Sequence, residues 1–156
     1  MKKIGIIGAM ELEVETLKSK MNVVKTTKKA NMEFFEGTLN GVEVVIVRSG
    51  IGKVNAGICT QILADLFDVT HIINTGIAGS LDAQIDIGDI VVSTDVLQHD
   101  MDVRVFGYPL GEIPQLGTLS FPADENGIPC KECVRESQHR SESVLRQDRK
   151  RRPIYL

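Results

Sequence analysis

Three acids follow directly on a glycine turn near the start of this chain. In Gly5-Ile-Ile-Gly-Ala-Met-Glu-Leu-Glu13 and on to Glu15, carboxylates stand at positions 11, 13 and 15. A carboxylate beside the ligand edge of a sheet is a general base that draws a proton from water. The same residues have a plainer use, because an acid in the first turn of a helix gains roughly 0.3–1 kcal/mol from the helix dipole. Phase separates the three. Glu11 and Glu15 share a helix face, whereas Glu13 lies about 200° around the helix from Glu11. At most one of those faces looks into a pocket.

Two further stretches set small residues behind short apolar runs. Ser49-Gly-Ile-Gly-Lys53 looks like the end of a phosphate loop, but it lacks the earlier glycine, and Val54 stands where a Ser or Thr would hold magnesium. Its glycines either let the backbone approach a sugar closely or only turn the chain. Asn74-Thr-Gly-Ile-Ala-Gly79 repeats the pattern. The spacing around Gly5 and Gly8 is not Gly-x-Gly-x-x-Gly, so no dinucleotide fingerprint is present. If the three preceding strands are parallel, the three bends converge on one edge, where open α/β sheets hold their ligands. Cys130, Cys133 and His139 offer three soft ligands where a structural zinc site takes four, and Cys130 follows Pro129 rather than a strand. They are read as incidental, with no metal. Arg149-Lys-Arg-Arg152 has no interleaved aromatics and reads as a solvated end rather than a nucleic-acid contact.

The elements that must position these residues follow from pattern. Lys3–Ala9 is a short β-branched run closed by Gly8, as a buried strand is. Met10–Lys20 turns helical, acids first and lysines last. Met32–Leu39 and Val42–Arg48 flank Asn40-Gly41, a pair that accepts positive φ at both positions of a hairpin turn. The apolar residues of Val54–Phe67 keep helical spacing, His71–Thr75 is a short strand, and Ile85–Ser93 is expected to add another, with Val96–Val105 continuing the sheet. Residues 106–118, with Pro109 and Pro114, read as a long loop. This alternation predicts an α/β domain with a mixed sheet.

The chain has 156 residues, 18 Lys+Arg against 21 Asp+Glu, and is 42% apolar. That is the profile of one soluble globular domain. No apolar run approaches the roughly 20 residues of a membrane span, and acids stand where a signal-peptide cleavage site would lie. A cytoplasmic protein is expected. The charge is uneven: residues 1–124 carry 10 Lys+Arg and 16 Asp+Glu, and residues 125–156 carry 8 and 5. The boundary is expected at 124, with a poorly ordered basic tail behind it.

Five blocks carry a family resemblance. Lys3–Val14, Ser49–Ala56, Ile73–Gly79, Ile87–Ser93 and His99–Tyr108 together resemble bacterial methylthioadenosine/S-adenosylhomocysteine nucleosidases, over residues 1 to about 124. The resemblance implies the nucleoside phosphorylase/nucleosidase-like fold, a three-layer α/β/α sandwich around a mixed central sheet. It implies hydrolysis of an N-glycosidic bond to adenine and a thioribose, without cofactor or metal. Glu13 matches the family's water-activating glutamate. Ala9, Met10, Ile51, Ile77, Ala78 and Gly79 match positions around the thio-nucleoside substrate. Val103, Phe106 and Pro114 match the loop that a homodimer lends to its neighbour's pocket. Ile77 stands where several relatives have serine. Residues 125–156 contain neither the family's Met-Glu pair nor its Ser-Asp, whose aspartate protonates adenine. The expectation is a C-terminally incomplete fold whose tail is the product of a reading-frame shift or other truncation. A fragment that only dimerises or binds, and a phosphorolytic relative, are the competing readings.

Overall fold

The structure is a computed structural model that describes residues 2–83 and 85–124. The chain divides into two compact units, Met1–Ile77 and Ala78–Leu156. The expectations for residues 125–156, including Cys130, Cys133, His139 and the basic run, lie outside the described residues.

The first unit holds β1 (Lys3–Gly8), α1 (Glu11–Lys20), β2 (Asn22–Lys29), β3 (Met32–Leu39), β4 (Val42–Arg48), α2 (Lys53–Phe67) and β5 (His71–Asn74). Its sheet has the order β2-β3-β4-β1-β5. β4, β1 and β5 run parallel, with Ile6 beside Ile46 on one side and Ile73 on the other. β2, β3 and β4 are antiparallel neighbours, so the sheet is mixed as the alternation predicts.

Burial explains why β4 reads as an unbroken apolar run. Val44, Val45, Ile46 and Val47 are all buried, as happens when both faces of a strand are covered. Val44 and Ile46 pack with Ile6, Val14 and Met21, on the face that α1 covers. Val45 and Val47 turn the other way, to Ile7, Phe34, Cys59, Leu63 and Phe67, under α2. Two helical layers thus enclose one sheet. On the α2 side the Phe34 and Phe67 rings stack with centroids 4.9 Å apart, an arrangement that adds about 0.5–1.5 kcal/mol beyond the area buried. The hairpin forms where Asn40-Gly41 places it, with φ of 50° and 81° at the two turn residues.

β2 has no counterpart in the sequence pattern. Almost all of it is exposed, and an edge strand held by backbone pairing to β3 needs no apolar alternation. Lys25 and Lys28 reach Glu36 and Glu33 on β3 at 3.9 and 3.7 Å.

The second unit has little regular structure among its described residues. β6 (Asp95–Val96) pairs antiparallel with β7 (Phe121–Pro122), and Arg104–Phe106 forms one 3-10 turn. The strand expected at Ile85–Ser93 is absent, and Val96–Val105 contributes only its first residue to β6. β-branched composition makes a segment fit a pleated surface, but a strand exists only against a partner. Among the described residues none pairs with 85–93, and Ile87, Ile90 and Val91 are exposed. Residues 107–118 form the long loop expected, with Gly107, Gly111 and Gly117 at positive φ. Among the described residues no helix is long and apolar enough to cross a membrane.

Candidate active site at the ends of three parallel strands

Because β4, β1 and β5 are parallel and adjacent, their carboxyl ends share one rim of the first unit. The backbone ties the departing chain segments together there. Ser49 N–H donates to the Gly8 carbonyl at 2.9 Å, and Thr75 N–H donates to the Ile7 carbonyl at 2.9 Å. Ser49, 5% exposed, also turns its hydroxyl onto the Gly50 carbonyl at 2.9 Å. The bend after β4 is held from the helix side, where Asn55 Nδ2 donates to the Ile51 carbonyl at 2.8 Å. The three small-residue bends therefore start from one place, as parallel pairing requires.

Glu13 lies across two of them. One carboxylate oxygen accepts the Met10 N–H at 2.9 Å. The other accepts the Ile77 N–H at 3.2 Å. The first contact is half of a capping box and satisfies an amide that the helix start leaves without a partner. Capping accounts for that oxygen alone. The second contact joins residues 64 apart in sequence and holds the carboxylate between the β1 and β5 bends.

The neighbouring acids do something else. Glu11 pairs with Lys18 at 2.6 Å and with Arg48 at 3.5 Å, exposed contacts of the kind worth about 0–1 kcal/mol, and Glu15 is exposed. Of the three acids, Glu13 alone is half-buried.

The structure brings Glu13, Met10 and Ile77 into contact, with Ala9 in the same bend and Ile51 at the tip of the next. The Ile51 and Ile77 side chains are 74% and 80% exposed. Ala78 and Gly79 follow Ile77 in the chain and open the second unit, both exposed. Val103, Phe106 and Pro114 belong to the second unit, where Phe106 is exposed and the other two are half-buried. Sequence reasoning missed Ser49 as the tie between β4 and β1; its only mark is a hydroxyl residue directly after a buried strand. Cys59 is core: burial between α2, which carries it, and the sheet pushes its thiol up to about 11, which makes it inert. Among the described residues no group of His, Cys, Asp or Glu is arranged to hold a metal.

A half-buried carboxylate, bonded to two backbone amides, thus stands at the carboxyl edge of three parallel strands in a mixed α/β sheet. The chain belongs to the phosphorylase superfamily, whose profile it matches over residues 3–149. That match runs past residue 124, the limit to which the sequence resemblance was read.

Within that superfamily it is similar to 5′-methylthioadenosine/S-adenosylhomocysteine nucleosidases. The protein of that name from Psychromonas ingrahamii is 50% identical over 126 residues, 81% of this chain and 54% of the relative. The one from Halalkalibacterium halodurans is 51% identical over 124 residues, 80% of this chain and 54% of the relative. Among solved structures, the Colwellia psychrerythraea nucleosidase in complex with adenine superposes with a TM-score of 0.77 at 48% identity, over 80% of this chain and 51% of that one. The Neisseria meningitidis nucleosidase in complex with methylthio-immucillin-A gives a TM-score of 0.77 at 40% identity, over 81% of this chain and 54% of that one. The chain spans about half the length of the curated relatives it matches.

Proposed function

We propose that this chain serves hydrolysis of the N-glycosidic bond of methylthioadenosine and S-adenosylhomocysteine, yielding adenine and a thioribose, with Glu13 as the residue that directs water. Cleavage of a ribosyl bond passes through an oxocarbenium-like state, so a carboxylate must orient water toward the anomeric carbon and take its proton, while the glycosidic electron pair leaves with adenine, which takes its proton from solvent since the Ser-Asp is absent from residues 125–156. The observation that carries the reading is the Glu13 carboxylate, pinned by the Met10 and Ile77 amides on the rim where three bends meet. Each oxygen keeps lone pairs beyond those two bonds with which to accept a water proton.

Ala9, Met10, Ile51, Ile77, Ala78 and Gly79 are proposed to face the nucleoside. With Ile77 in place of a hydroxyl residue, contact near the sugar is apolar. Val103, Phe106 and Pro114 are proposed to reach the pocket of a second copy in a homodimer, in the cytoplasm. No metal or organic cofactor enters the proposed reaction.

Adenine release from each nucleoside by the purified chain tests the reading. Turnover independent of phosphate is expected, slowed by about 10²–10⁴-fold for want of the acid that protonates adenine, and falling by a similar factor again in Glu13→Gln. Phosphate-dependent release would favour phosphorolysis, a reading the superfamily match also admits. Absence of release, with nucleoside still bound, would leave a binding module in its place.

A further inference from the structure

Two glycines border the Glu13 carboxylate, and they do so differently. A Cβ placed on Gly8 would come within 2.6 Å of Val14 Cγ1 and 3.1 Å of Glu13 Cβ. Val14 is fully buried in the core beneath α1, so a side chain at position 8 pushes on packed atoms that cannot move. A Cβ on Gly76 would meet Glu13 Oε1 at 2.6 Å, Cδ at 2.9 Å and Oε2 at 3.2 Å. All three of its nearest neighbours are the tip of one flexible side chain. Gly76 does not sit in the left-handed region, so its backbone accepts alanine without strain. What glycine supplies at this position is therefore space, and the carboxylate fills that space.

We propose that Gly76 is a positioning residue for Glu13: the missing side chain on the β5 bend is what lets one carboxylate take the Met10 and Ile77 amides together. The inference rests on the proposed role of Glu13 for its catalytic consequence, but its geometric content stands by itself. An added methyl group does not unfold the protein; it displaces the carboxylate, breaks the Ile77 N–H bond and leaves the general base misaimed. Misplacement of a reacting group by about 1 Å costs on the order of 10²-fold in rate. Gly8→Ala acts on the core instead, and its effect is on stability.

The experiment uses the full chain with Gly76→Ala, Glu13→Ala and the double variant. Three readouts are followed: adenine release, the thermal midpoint, and hydrogen exchange at the Met10 and Ile77 amides. Gly76→Ala is expected to lower kcat by about 10²-fold with KM little changed, the pattern of a group that acts in the transition state. It is expected to keep the thermal midpoint near that of the parent and to speed exchange at Ile77 as Glu13→Ala does. In the Glu13→Ala background, Gly76→Ala is expected to change neither rate nor exchange further, because its only target is gone. Unchanged Ile77 exchange in Gly76→Ala, an added loss in the double variant, or failure of Gly76→Ala to fold would each overturn the proposal. If the chain releases no adenine at all, the proposed function fails, while amide exchange still decides whether Gly76 makes room for the carboxylate.

Discussion

The two units of this chain use similar apolar residues to opposite effect. Every buried hydrophobic residue among those described, from Ile6 to Phe67, belongs to the first unit. In the second, Leu81, Ile87, Ile90, Val91, Val105, Phe106 and Leu116 are exposed. The difference is one of partners. In the first unit the hairpin brings β3 against β4, β1 pairs with β4 across α1, β2 and β3, and two helices cover the faces that result. A residue such as Val45 then has atoms on every side. The second unit has one two-stranded ladder among its described residues, and two strands alone give too little surface to bury an apolar face. Hydrophobic composition raises the stake on burial, and topology decides whether burial happens.

The largest effect that would sharpen this contrast comes from paired truncations. Phe34→Ala removes a fully buried ring stacked on Phe67 and is expected to cost about 3–5 kcal/mol in urea unfolding. Leu116→Ala, on an exposed side chain of the second unit, should stay within about 0.5 kcal/mol. Equal losses would break the comparison.

The same test is repeated within one helix. On α2, Leu63 is fully buried and Leu66 is 55% exposed, so Leu63→Ala should cost about 2–5 kcal/mol and Leu66→Ala far less. A third measurement follows Cys59. Its buried thiol, pushed up to about 11, should resist alkylation at neutral pH in the folded chain and react fully once urea unfolds it. Rapid labelling of the folded protein would contradict a closed core.

The smallest effect concerns pH in the second unit. The Arg104 guanidinium bonded to Asp102 at 2.7 Å holds that carboxyl down to about 2. A carboxyl depressed in the folded state adds stability that is complete above its unfolded value near 3.9 and is lost as pH falls through the folded value. Asp102→Asn should therefore flatten any acid loss between about pH 4 and pH 2, by a barely measurable amount, since the pair is solvent-exposed. Carboxyl titration by NMR checks the direction.

Much of the first unit was legible because local rules and the fold agree. Asn40-Gly41 marked its turn, the β-branched runs at Lys3 and His71 became β1 and β5, and the helical spacing behind Lys53 became α2. β2 was not legible, since its residues are chosen for an exposed edge rather than for a buried face. Ile85–Ser93 misled in the other direction, because its residues suit a strand that has no partner among the described residues. At the site, the phase of the acids set Glu13 apart from Glu11 and Glu15 without choosing between the two faces; the choice of Glu13 came from the family resemblance. The Ile77 amide could not be read from sequence at all: every residue but proline has one, and only the parallel register of β1 and β5 brings this one to the carboxylate.

The outer edge of β2 has a consequence for the protein in concentrated solution. An unpaired strand invites another copy to extend the ladder, and natural sheets discourage this with charge at the margin. Among the described residues no strand pairs with this margin, and Lys25, Lys28 and Lys29 give it three ammonium groups, two of them only partly offset by exposed pairs with Glu36 and Glu33, so two molecules approaching side by side meet Coulomb repulsion before their backbones come within bonding distance. That barrier fades with added salt, and the tendency of the chain to self-associate through this strand should grow with ionic strength.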